Sequence, residues 1–272
     1  MSFCQRMMDL YRTKKSILCV GLDSAMPNQR KGAAIPREYI VEGDENQSRL
    51  RFCLSIVDQT AEHCIAFKPN QQYVAGFTSK EHLKLTREIR SRNCVSILDY
   101  KLNDIGDSIE SALYHLSNWG YDAITFNPFL GNLEETVKLA HSYPRQMGIL
   151  TLTLTSNPEA IHYQKQAMIE GMPLYAKIAE DVRTYGGDGC VVGATGHVTD
   201  SEIRSIRKMA GKDKIFLVPG VGAQAGDPKK VIDNGGNVLI NVSRGVIYAD
   251  SPSQKAKEYC ELFNLHGAKL EL

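Results

Sequence analysis

The sequence predicts an α/β fold closed as a (β/α)8 barrel, the TIM-barrel architecture, in a single domain over residues 1–272. Three observations predict it. Short apolar, β-branched runs recur along the chain. Each ends in polar or glycine residues, and amphipathic stretches of helical length lie between them. Parallel strands need crossover connections, so strand–helix alternation at spacings of a few tens of residues reads as successive β/α units. Eight such runs favour closure into a barrel, with an open doubly wound sheet as the alternative.

The candidate strands are 17–22, 65–68, 95–99, 123–126, 148–153, 190–192, 215–218 and 238–241. Amphipathic stretches at 80–92, 107–119, 133–141, 173–185, 200–209 and 228–233 supply helices, and 253–263 closes the chain. In the first of these, Leu83, Leu85 and Ile89 carry the apolar face, while Lys84, Arg87 and Glu88 face water. Two inserts, 24–47 after the first strand and 156–171 after the fifth, leave the C-terminal rim, where barrel active sites are built.

Bulk properties narrow the function. A chain of 272 residues with 43% hydrophobic and 23% charged residues is an ordinary soluble globular protein. A net charge of +1 gives no global field for nucleic acid or anionic membrane, so neither is an expected partner. The seven cysteines are scattered without a CxxC pair, which reads as reduced thiols in a cytoplasmic protein. The opening residues are mixed and charged, unlike a signal peptide, and no apolar run is long enough for a membrane span.

The chemistry gathers at strand ends. Asp99 and Lys101 are two apart on the third strand, so they face one side, and Asp104 follows in the loop. Charges this dense at a strand end are costly to bury unpaired, which fits a functional site and a structural ion pair equally well. Lys68, ending the second strand, enters the same rim, and an alternating Lys-Asp-Lys-Asp chain would keep every group ionised. After the seventh strand comes Pro219-Gly220-Val221-Gly222-Ala223-Gln224, and after the eighth Ser243-Arg244-Gly245. Glycine-rich backbone and an arginine on these two adjacent strands suit a phosphate. Asp23 could accept from a sugar and Ser156 could read a base edge, though each also reads as a cap or turn residue. There is no zinc-ligand spacing and no nucleophile elbow, and no cofactor is expected. Taken alone, these residues reach a phosphate-binding barrel enzyme.

The motifs together resemble the orotidine 5'-phosphate decarboxylase family, in its bacterial-type branch. They are Gly21-Leu22-Asp23, Phe67-Lys68-Pro69-Asn70, Asp99-Tyr100-Lys101-Leu102-Asn103-Asp104-Ile105, Thr155-Ser156-Asn157-Pro158-Glu159, Pro219–Gln224 and Ser243-Arg244-Gly245, spanning nearly the whole chain in order. The resemblance implies conversion of orotidine 5'-monophosphate (OMP) to UMP and CO2 without a cofactor, by a homodimer with shared sites. Lys68, Asp99 and Lys101 would form the charged array of one subunit, with Lys101 the proton donor and Asp104 reaching in from the partner. Asp23 and Lys68 would contact ribose, Ser156 and Gln224 the pyrimidine, and Gly222 and Arg244 the phosphate. Ser108 stands where the family often has a threonine touching ribose across the interface; it keeps the hydroxyl and loses a methyl.

Three rival readings remain. A keto-gulonate-phosphate decarboxylase or hexulose-phosphate synthase would want a Mg2+-binding rim, against which Lys68 argues. A Schiff-base aldolase would use Lys101 or Lys68 as nucleophile. A non-catalytic barrel would bind nucleotide without turnover.

Overall fold

The computed structural model describes residues 1–220, 227–267 and 270. Eight parallel strands close a barrel: β1 (Leu18–Leu22), β2 (Ala66–Pro69), β3 (Val95–Leu102), β4 (Ala123–Phe126), β5 (Gly148–Leu154), β6 (Gly189–Val192), β7 (Ile215–Val218) and β8 (Val238–Val242). Each strand pairs with its neighbour in sequence, and β1 pairs with β8, so the open-sheet alternative is excluded. Most strands are buried along their whole length, because side chains on one face fill the lumen and those on the other pack under helices. That double burial is why they read in sequence as continuous apolar runs.

Among the described residues, two helices of more than ten residues lie beyond those read from sequence. The first, Phe3–Lys14, is fixed by a capping box in which Ser2 and Gln5 satisfy each other's backbone N–H groups. It buries Phe3, Met7, Met8 and Leu10, each worth ~1.5–3 kcal/mol when fully covered. Its mixed composition hides an amphipathic pattern, since Arg6 turns inward to donate to the Gln146 carbonyl at 2.7 Å. The second, Glu45–Thr60, begins inside the expected 24–47 insert, capped by Asp44. Arg49 on this helix is buried and ties it to the Ser24 carbonyl and to Gln29, both at 3.0 Å. The first insert therefore folds back over the barrel wall.

The second insert carries one π-helical turn, Ile161–Lys165, and the first strand, Met168–Ile169, of a two-stranded hairpin whose second strand, Met172–Pro173, lies just past it. Gln164 Oε1 accepts from the Thr155 N–H at 2.8 Å, and Lys165 pairs with Glu202 at 2.8 Å, so this loop is pinned across the rim.

Candidate active site

Three of the four rim charges come together. Lys68 Nζ, from the buried end of β2, donates to Asp99 Oδ2 at 2.8 Å. Lys101 Nζ donates to Asp99 Oδ1 at 2.7 Å. The carboxylate is thus held between two ammonium groups, on a cavity of about 960 Å3 that Thr125, Ser156 and Pro219 also line. Burial pushes the Asp99 carboxyl up, but Lys68 and Lys101 outweigh it and hold Asp99 well below the usual carboxylate range. Burial pulls Lys68 down, yet Asp99 and then Asp23 outweigh it and hold Lys68 above an ordinary lysine. The two lysines differ in access: the Lys68 side chain is 5% exposed and that of Lys101 is 50% exposed. Lys68 is committed to the carboxylate, whereas Lys101 can reach a bound molecule.

The strand is not regular where the charges sit. Leu98 faces Ile124 and Leu102 faces Phe126, so the register of β3 against β4 shifts between them. Lys101 has φ 52°, a left-handed conformation uncommon for lysine. The expected pairing of Asp99 with Lys101 on one side holds, but through a bulge rather than simple alternation. Thr125 on β4 bridges it, donating to Asp99 Oδ1 and accepting from the Lys101 N–H, both at 2.9 Å.

Asp23 follows β1. Its Oδ2 lies 2.6 Å from Ser243 Oγ, and its backbone carbonyl accepts from Tyr248 Oη at 2.8 Å. A Cβ on Gly21 would lie 2.8 Å from Ser243 Cβ, so glycine there lets Ser243 lean across to Asp23. Asp23 Oδ1 is buried without a hydrogen-bond partner among the described residues. Ser156 is half-buried at the cavity wall, and a Cβ on Gly193 would lie 2.8 Å from its nitrogen. Arg244 is exposed at the start of the short helix Arg244–Ile247, just past β8. Gly222 and Gln224 lie outside the described residues.

Asp104 and Ser108 are exposed, and neither lines the cavity around Asp99. Asn132 Nδ2 donates to the Asp104 carbonyl at 2.9 Å, tying the loops after β3 and β4 together. That joined edge carries Ile105, Phe129 and Leu130 at 59%, 79% and 44% exposure, an apolar surface beside an aspartate. Sequence reading missed Thr125 and Tyr248, and it named Ser243 only within the Ser243-Arg244-Gly245 motif, without its bond to Asp23. The signal for Thr125 was a hydroxyl inside an otherwise apolar buried strand, which needs a partner.

Fold and site define a (β/α)8-barrel protein with a lysine–aspartate–lysine cluster at its C-terminal rim. The chain belongs to the orotidine 5'-phosphate decarboxylase / HUMPS family, whose model matches residues 16–259. The orotidine 5'-phosphate decarboxylase of Roseiflexus sp. (strain RS-1) is 36% identical over 261 residues, covering 92% of this chain and 90% of the relative. That of Variovorax paradoxus (strain S110) is 36% identical over 270 residues, covering 92% and 91%. Among solved structures, Leishmania donovani OMP decarboxylase superposes with a TM-score of 0.77 at 28% identity, covering 98% of this chain and 99% of that one. Leishmania donovani UMP synthase gives 0.79 at 28% identity and covers 98% of this chain, which spans 56% of that longer protein.

Proposed function

We propose that this protein is an orotidine 5'-phosphate decarboxylase, a carboxy-lyase that converts OMP to UMP and CO2 in pyrimidine biosynthesis. The observation that carries the reading is the Lys68–Asp99–Lys101 cluster at the barrel rim, in a chain 36% identical to relatives of that name. The family name joins two groups, and the full-length relatives decide between them.

Breaking the bond from C6 to the carboxylate leaves an electron pair on C6, with no adjacent carbonyl to delocalise it. Catalysis by this chain's own residues then means charge placement. The Lys101 ammonium stabilises the developing pair and gives C6 a proton, and its half-exposed chain recovers one from solvent. The balance is OMP plus a proton to UMP plus CO2. Asp99 stays ionised beside the leaving carboxylate and fixes Lys101. Lys68, held protonated, has no lone pair for a Schiff base, and two ammonium groups flanking Asp99 disfavour a Mg2+ ion there. Asp23 Oδ1, buried and without a hydrogen-bond partner among the described residues, is an acceptor suited to a ribose hydroxyl, with Lys68 beside it. Ser156 and Gln224 read the pyrimidine, and Gly222 and Arg244 take the phosphate.

The protein acts as a cytoplasmic homodimer, with residues 1–272 as one catalytic domain. The apolar edge at Ile105, Phe129 and Leu130 supports a partner there, and Asp104 and Ser108 beside it would complete the site of that partner. The deciding experiment adds purified, EDTA-treated protein to OMP and follows its absorbance. Decay at a rate proportional to protein supports the reading, and UMP binding without decay replaces it with the non-catalytic barrel.

A further inference from the structure

The register shift in the β3–β4 pairing leaves Asp99, Tyr100 and Lys101 opposite Thr125 alone. Thr125 is 1% exposed, and its one hydroxyl serves both ends of this bulge. It donates to Asp99 Oδ1 at 2.9 Å, the oxygen that also receives Lys101 Nζ at 2.7 Å, and it accepts from the Lys101 backbone N–H at 2.9 Å. The same hydroxyl therefore fixes the rotation of the carboxylate and the backbone from which the lysine springs. That backbone needs fixing, since Lys101 has φ 52° and a non-glycine residue keeps such a conformation only where its surroundings impose it. A β-branched side chain suits the task, because its χ1 is stiff.

We propose that Thr125 is a positioning residue for the decarboxylation, acting through Asp99 and Lys101 to aim the ammonium at C6. This rests on the reading of Lys101 as proton donor. Thr125 lines the cavity, but its hydroxyl is engaged by the pair, so loss of the hydroxyl falls on the chemical step and leaves nucleotide binding near wild type.

The test compares wild type with Thr125→Val, Thr125→Ser and Thr125→Ala in OMP turnover, UMP affinity and thermal unfolding. Misplacement of a reacting group by a fraction of an ångström to an ångström costs up to about 100-fold, so Thr125→Val should lower kcat by about 10- to 100-fold. KM for OMP and the Kd for UMP should stay near wild type. Thr125→Ser, which keeps the hydroxyl, should restore most of the rate. Both Ser and Ala lack the methyl, so this pair isolates the hydroxyl even where Thr125→Val fails to fold. Equal kcat in the Ser and Ala variants overturns the proposal, as does a loss that falls on KM. Wild-type protein that leaves OMP untouched removes the proposed function and this inference with it. Wild-type turnover with an unimpaired Thr125→Ala removes the role of Thr125 alone.

Discussion

Lys68 and Asp99 face each other across the ends of β2 and β3, Nζ to Oδ2 at 2.8 Å, and both are nearly buried. Such a pair is costly to break, because the surviving charge has no water to turn to. Lys101 touches the same carboxylate at 2.7 Å but is half exposed, so solvent can replace Asp99 as its partner. One anion thus holds two cations in different environments.

The contrast gives a first prediction. Asp99→Asn should lose roughly 3–5 kcal/mol of folding stability, because it removes the carboxylate bonded to the buried Lys68 and leaves Asp23 as the remaining anion near it. Lys101→Ala should cost at most about 1 kcal/mol, as an exposed pair does. It should nevertheless lower turnover by ~10²-fold or more, with UMP binding kept. Denaturant melts and OMP assays on the two variants check both halves. An Asp99→Asn protein as stable as wild type, or a Lys101→Ala protein with more than about a tenth of the activity, would remove the respective assignment.

The barrel was legible because strands buried on both faces give apolar runs that need no register to be recognised. Asp99 and Lys101 were legible through their spacing, and Lys68 through its place at the end of the neighbouring strand. The helix Glu45–Thr60 was not, because its inward face includes the charged Arg49, which pairs with Glu45 one turn back but also needs the Ser24 carbonyl and Gln29, partners that only the fold brings to it. Thr125 was missed for a related reason. A threonine in a strand is common, and its importance lies in a bulge on the adjacent strand that no local pattern announces. Tyr248 reaches Asp23 across 225 positions of chain, a closeness that only barrel closure creates.

A second prediction concerns the phosphate. Arg244 stands exposed just past β8, on the strand next to β7 and its glycine-rich continuation. Arg244→Ala should raise the KM for OMP severely and barely alter turnover of the same nucleoside lacking phosphate. Comparing kcat/KM for the two substrates decides it, and equal damage to both would make Arg244 structural instead.

A third prediction concerns pH. His82 is buried, stacks on Trp119 with ring centroids 4.2 Å apart, and lies 2.9 Å from Tyr121 Oη through Nδ1. Burial lowers its pKa from 6.5 to about 4, outweighing the pull of Glu81. The unfolded chain therefore takes up a proton below pH 6.5 that the folded one refuses until about pH 4, so stability falls as pH drops through that window. At pH 5 this amounts to ~2 kcal/mol relative to neutral pH. Urea melts of wild type and His82→Phe at pH 7.5 and pH 5 should show the variant losing less on acidification, whatever its absolute stability. Parallel losses would mean that His82 protonates freely in the folded protein.

The last prediction tests whether the site is shared between subunits. Asp104 is exposed on a loop bearing the 59% exposed Ile105, while Lys101 is bound to the Asp99 of its own chain. Lys101→Ala protein is mixed with Asp104→Asn protein, and the subunits are dissociated and reassociated. In a mixed dimer, one site draws Lys101 from the Asn variant and Asp104 from the Ala variant, so it is intact. The other site carries both lesions. Random pairing makes about half of the dimers mixed, each with one good site of two, so activity should return to roughly a quarter of wild type. If both residues serve a single subunit, every site keeps a lesion and mixing restores nothing. Subunit exchange is verified by combining proteins of distinguishable mass and resolving the mixed species. Proven exchange without recovery would assign Asp104 to its own subunit and leave the roles of Lys68, Asp99 and Lys101 standing.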